Sequence, residues 1–185
     1  MRRLLDGLYR VSLLAAAVFL VAICAVVIMQ VLLNLIDRIS GLLFGSAIGL
    51  TVPSYADFTG FFLAAATFLA LAGTLRDGGH IRVTLLTGIL SRRVQRYFEL
   101  WCVLLAMGVT MYACWYMFSL IHESYKYNDL SPGIIAVPIW IPQSAMAFGL
   151  SVLAIALVDE FFSLLTGHDA SWHDKGEKLL DGSGE

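Results

Sequence analysis

The stretch VSLLAAAVFLVAICAVVIMQVLL, residues 11–33, contains no charged residue. At 1.5 Å per residue a helix of that length crosses a hydrocarbon core of ~30 Å. Arg2, Arg3 and Arg10 precede it, as basic residues precede a secretion signal. A signal's apolar segment, however, is only about 7–15 residues and closes on a small-residue cleavage site, which is not evident here. The run therefore reads as a retained membrane helix.

Three further runs near the ~20 residues that a crossing needs follow, at about residues 55–75, 98–121 and 142–165. Composition agrees, with 59% hydrophobic residues against 14% charged, about half the charged fraction of a soluble domain. ISGLLFGSAIGLTV, residues 39–52, is apolar but interrupted by Gly41, Gly45 and Gly49. Its length fits an interfacial or re-entrant segment better than a fifth crossing.

Charge sets the direction. Arg2, Arg3 and Arg10 lie before the first span, Arg76, Arg82, Arg92, Arg93 and Arg96 between the second and third, and Lys175 and Lys178 after the fourth. The other side holds only Arg38 and Lys126. The positive-inside rule places both termini and the middle loop in the cytoplasm. The fold class expected is an all-α membrane protein of four transmembrane helices. Residues 1–165 form its single domain, and residues 166–185 form a polar cytoplasmic tail that frays in water.

Several residues mark helix starts. Ser54-Tyr55-Ala56-Asp57 has capping-box form after Pro53, so the Ser54 hydroxyl is expected to accept a bond from an orphan N–H of the second helix. Ser131-Pro132-Gly133 reads as a turn. Pro138 and Pro142 lead into the fourth helix, Pro142 in its first turn, where a missing N–H is harmless.

Transport of a polar solute through the chain itself would call for ionisable or strongly polar groups at membrane depth. The spans offer Gln30, Thr59, Thr67, Thr110, Ser119, Ser144 and Ser151, none of them charged. Asp57, Glu99, His122, Glu123, Asp159 and Glu160 sit near span ends, where headgroups can solvate them. The alternative for Gln30 and Asp159 is a polar contact to another helix.

His80, His122, His168 and His173 lie at or beyond span ends, which leaves a haem without axial ligands. His122-Glu123 lacks the second histidine of the zinc-hydrolase helix, and Gly78-Gly79 lacks the rest of a phosphate loop. Cys24, Cys102 and Cys114 show no metal spacing and read as packing residues. A net charge of -2 gives no reason to expect a nucleic-acid partner. No enzyme, metal site or cofactor is expected.

The middle loop, TLRDGGHIRVTLL onward, reads as an elbow. Arg76 snorkels to the inner headgroups, Asp77 pairs with it or with Arg82, and Gly78-Gly79 supply the positive φ angles that end one helix and redirect the chain. His80 and Arg82 then open an amphipathic helix over about residues 80–96, lying on the phospholipid bilayer between spans two and three. On it Thr84, Thr87, Gly88, Ser91 and Gln95 share a small, uncharged arc. Thr84, Gly88 and Ser91, with Gln30 in the first span, are candidate contacts to a partner's helices.

Four spans with both ends inside, MQVLLNLIDR at the end of the first, FLALAGTLRDGGHIRVTLL, and VPIWIPQSAMAFGL at the start of the fourth together resemble the small membrane subunit of tripartite ATP-independent periplasmic (TRAP) transporters. The resemblance covers roughly residues 11–165, and its most specific part is residues 76–82. Asn34 to Arg38 and Ser54 to Asp57 stand where many members carry an arginine-tyrosine pair and paired glutamates.

The resemblance implies a bacterial inner-membrane protein with two partners, a large TRAP permease subunit and a periplasmic solute-binding receptor. The large subunit would hold the sodium and organic-acid sites, and the small one would be a fixed scaffold. Two other readings are a stand-alone homo-oligomeric transporter and a membrane anchor or assembly subunit of another complex.

Overall fold

The computed structural model describes residues 2–46, 48–76 and 92–166. Among them the chain forms four helices: α1, Arg2–Phe44; α2, Tyr55–Arg76; α3, Arg92–Tyr127; and α4, Trp140–Leu165. All four are long and apolar enough to cross a membrane. The predicted surface helix lies outside the described residues, except that Arg92 to Arg96 belong to α3.

Two helices are longer than the sequence suggested. At 1.5 Å per residue, α2 and α4, with 22 and 26 residues, extend for about 33 and 39 Å, close to a bilayer's apolar thickness. α1 and α3, with 43 and 36 residues, reach about 65 and 54 Å. The predicted end of the first span at Leu33 marks where the apolar run stops, and the helix continues through Asn34, Asp37 and Arg38 because nothing there breaks its hydrogen bonding. It ends at Phe44, where Gly45 takes φ +71° and its N–H bonds the Gly41 carbonyl at 3.1 Å, the left-handed stop that glycine allows.

The apolar segment 39–52 is thus divided. Its first six residues are the last turns of α1, and residues 48–53 return to α2 as irregular chain. The return is pinned from α1, where Asp37 Oδ1 accepts the Gly49 N–H at 2.7 Å and Gln30 Oε1 accepts the Val52 N–H at 2.8 Å.

The helices meet in the order α1, α2, α4, α3, with only slight contact between α1 and α4. Small residues make the approaches close, as expected where lipid supplies no hydrophobic drive between helices. Buried Ala16, Ala65 and Leu69 form one cluster between α1 and α2. Ser12, fully buried, donates from Oγ to the Leu69 carbonyl at 2.6 Å. Tyr9, Ala72, Val152 and Ala156 join α1, α2 and α4. Cys114, Leu150 and Ala154 join α3 and α4.

Gly149 of α4 lies directly on α2: a Cβ there would stand 2.5 Å from the carbonyl carbon and oxygen of Phe68. α1 and α3 keep broad apolar faces outward, including Val18, Val21, Leu32, Trp101, Tyr112 and Trp115. The cysteines divide accordingly, Cys114 packing in the core while Cys24 and Cys102 are exposed on the outer faces.

Candidate functional site

Each end of the bundle carries its own polar joint. At one end lie the start of α1, the end of α2, the start of α3 and the end of α4. Arg76, in the last turn of α2, forms an ion pair with Asp6 of α1 and sits over the Tyr9 ring, its guanidinium carbon 4.8 Å from the centroid. The expected partner Asp77 lies outside the described residues. Among the described residues the acidic partner of Arg76 is Asp6, whose side chain is half exposed.

Arg96 of α3 donates from Nη2 to the Leu164 carbonyl at 2.8 Å, satisfying one of the orphan carbonyls at the end of α4 and complementing its dipole. Glu160, one turn before, is only 4% exposed. It is therefore a core residue and not one solvated by headgroups, as its place near the end of the apolar run suggested.

The opposite end joins the two remaining linkers. Ser54 immediately precedes α2, as the capping pattern required, but its φ is +55°. That left-handed conformation departs from the extended one that lets an N-cap hydroxyl turn back onto its own helix. The hydroxyl instead accepts the Ile135 N–H at 2.9 Å, 81 residues away, while the Ser54 carbonyl accepts the Phe58 N–H at 3.1 Å.

Gly133 packs so tightly beneath α2 that a Cβ would overlap the Asp57 carboxylate. The second linker closes on itself: Ser131 N–H bonds the Val137 carbonyl at 2.9 Å, Ser131 Oγ accepts the Val137 N–H at 3.1 Å, and Leu130 and Pro138 form a single antiparallel bridge. Pro138 also accepts the Ile141 N–H at 3.2 Å, and Pro142 is the third residue of α4, inside its first turn. Between the linkers is a hollow of about 370 Å³, lined by residues 51–57 and 132–134.

Gln30 is 6% exposed and fully engaged within its own chain. Nε2 donates to Asn34 Oδ1 at 3.0 Å and to Thr51 Oγ1 at 3.2 Å, and Oε1 accepts from Val52. It therefore fixes the return from α1 and has no polar atom left for a partner's helix.

Four of the six hydroxyls named in the spans are bonded within their own helices, and Thr110 is buried. Thr59 bonds the Tyr55 carbonyl, Thr67 that of Leu63 at 2.6 Å, Ser144 that of Ile141 at 2.6 Å and Ser151 that of Ala147 at 2.7 Å. Each is bonded back into its own helix, and Ser151 also lies beside Cys114 of α3.

Of the residues singled out in the sequence, Ser54, Asp57 and the loop before Pro138 are brought together, and Arg76 is joined to α1. Asp77, Gly78, Gly79, His80, Arg82, Thr84, Gly88 and Ser91 lie outside the described residues. Asp6, Tyr9, Ser12 and Thr51 were missed. Their partners are 21 to 70 residues away in sequence, and no short-range pattern marks such pairs.

The family model described as tripartite ATP-independent periplasmic transporters, DctQ component, matches residues 43–167. That covers α2, the middle loop, α3 and α4, and leaves nearly all of α1 outside the match. No curated protein matches the chain. A match over more than half of the chain, whose described residues include four membrane-capable helices, shows that it belongs to the DctQ family, the small permease components of TRAP transporters.

Proposed function

We propose that the chain is the fixed, non-catalytic scaffold of a bacterial inner-membrane importer, sitting beside a large permease that carries sodium and an organic acid such as a dicarboxylate. The observation that carries this is that most polar side chains singled out in the spans bond within the chain, while the buried Tyr9 hydroxyl and Gln143 Oε1 have no hydrogen-bond partner among the described residues. Gln30 and the hydroxyls of Thr59, Thr67, Ser144 and Ser151 are spent within the chain, and α2 and α4 meet closely enough for a glycine to lie against backbone. A scaffold requires rigid packing and a broad apolar outer face. A carrier requires polar groups turned toward the solute.

In this reading the end holding Arg76 and Arg96 faces the cytoplasm, in keeping with the positive-inside rule. The linkers between α1 and α2 and between α3 and α4 face the periplasm and a soluble receptor. Residues 80–91 continue as a surface helix on the inner leaflet, whose arc of Thr84, Gly88 and Ser91 meets the permease. The outer faces of α1 and α3 supply area for lipid and for the partner.

Expression of a tagged copy from its native gene cluster tests the assignment. The large permease should co-purify in mild detergent. A chain that emerges alone removes the scaffold reading and returns the stand-alone transporter to first place.

A further inference from the structure

We infer that the hollow between the two linkers is a socket for one basic side chain, a lysine or arginine, of the soluble receptor. The inference rests on the scaffold reading and adds to it the chemistry of a contact. The wall of the hollow is partly apolar, with Val52, Pro53, Pro132 and Ile134, and carries one carboxylate, Asp57. No hydrogen bond or ion pair reaches that carboxylate from the described residues. Gly133 packs directly against it, the missing side chain letting the second linker pass close by.

The Ser54 hydroxyl is already taken by Ile135, so it does not compete for a ligand. It locks the two linkers together, which gives the hollow fixed walls and lowers the ordering cost of docking.

The charge of this end points the same way. Asp37, Asp57, Glu123 and Asp129 stand near it against Arg38 and Lys126. Asp37 is engaged with Gly49, and Lys126 lies over the Tyr127 ring at 5.4 Å. The end is therefore acidic, with Asp57 the carboxylate at the hollow.

A metal ion would need several oxygen ligands, and the hollow offers one carboxylate. Lysine and arginine have the matching shape, an apolar stem for the proline and isoleucine walls with a cation at the tip. A volume near 370 Å³ holds one such side chain.

The test uses the complex of this chain with its permease in phosphatidylcholine vesicles, with solute uptake followed against the concentration of solute-loaded receptor. Asp57→Asn should raise the half-saturating receptor concentration several-fold. Asp57→Lys should raise it roughly tenfold or more, as expected for a like charge facing the docking cation. Uptake at saturating receptor and co-purification with the permease should stay as in the wild type.

Ile134→Ser changes a wall residue that is 85% exposed, so it should weaken docking with little effect on folding. Reversing the matching receptor cation to glutamate should restore docking to Asp57→Lys. Unchanged half-saturation in both Asp57→Lys and Ile134→Ser, with the complex intact, overturns the socket and leaves the scaffold standing. A wild-type complex that never forms overturns the scaffold, and the socket with it.

Discussion

Replacing Gly149 by alanine adds one methyl group at the contact between α2 and α4. That methyl would stand 2.5 Å from the Phe68 carbonyl carbon and oxygen and 2.8 Å from the Leu69 nitrogen. Ordinary carbon-to-oxygen contacts in proteins lie at about 3.3–3.6 Å, so the two backbones must part by roughly 1 Å. A gap of that size forfeits about a quarter to a half of each dispersion contact it opens. The neighbours affected include Leu69, Ala72, Val152 and Ala156, all buried.

Overpacking of this kind costs about 1–3 kcal/mol. It is partly offset by the gain of about 1 kcal/mol when alanine replaces glycine inside a helix. Gly108→Ala and Gly60→Ala receive the same helical gain and meet nothing, because a Cβ at either has no neighbour within 4 Å. The helical term cancels in the comparison, so Gly149→Ala should be less stable than either control by about 1–3 kcal/mol. Unfolding of the purified chain in mixed micelles, with helicity followed against SDS, measures the differences. Equal stability of the three variants would refute the packing argument.

Three further substitutions extend the account to the two ends of the bundle. Asp6→Asn removes a half-exposed ion pair and should cost below about 1 kcal/mol; Arg76→Ala also removes the cation from the Tyr9 ring and should cost more, by about 0.5–1 kcal/mol, in the same unfolding assay. Gln30→Leu leaves the Val52 N–H and the Thr51 hydroxyl without their acceptor and donor. It should cost about 1–3 kcal/mol and speed proteolysis between α1 and α2, read by mass mapping of the cleavage sites. In the middle loop, where the sequence assigns Gly79 to a turn and gives His80 no proton to move, Gly79→Val should abolish co-purification with the permease. His80→Gln should leave uptake nearly intact.

The helices were legible because their signal is local. Apolar runs of bilayer length stand out in any window, and Pro142 marks the first turn of α4 from sequence alone. The boundaries were less legible. Leu33 ends an apolar run, but hydropathy reports where lipid ends, and α1 goes on for another eleven residues until Gly45 stops it.

The polar joints were legible only as residue types. Ser54 was correctly placed before α2, yet its hydroxyl serves a linker 81 residues away, and a capping pattern says nothing of tertiary competitors. Arg76 likewise had an acid beside it in sequence, while the pairing observed is with Asp6, brought near by the packing of α1 on α2. Gln30 was notable as a polar residue in a span, and its true role became clear only once the chain after α1 was seen to fold back along it.

The central claim is that this chain supports transport without performing it. Solute uptake into sodium-energised proteoliposomes containing the purified chain alone, beside vesicles holding the chain with its permease and receptor, tests that most directly. The account predicts receptor-dependent uptake with the full set and none with the chain alone. Sodium-dependent uptake by the chain alone, lost on replacing Gln30 or Asp159, would contradict it.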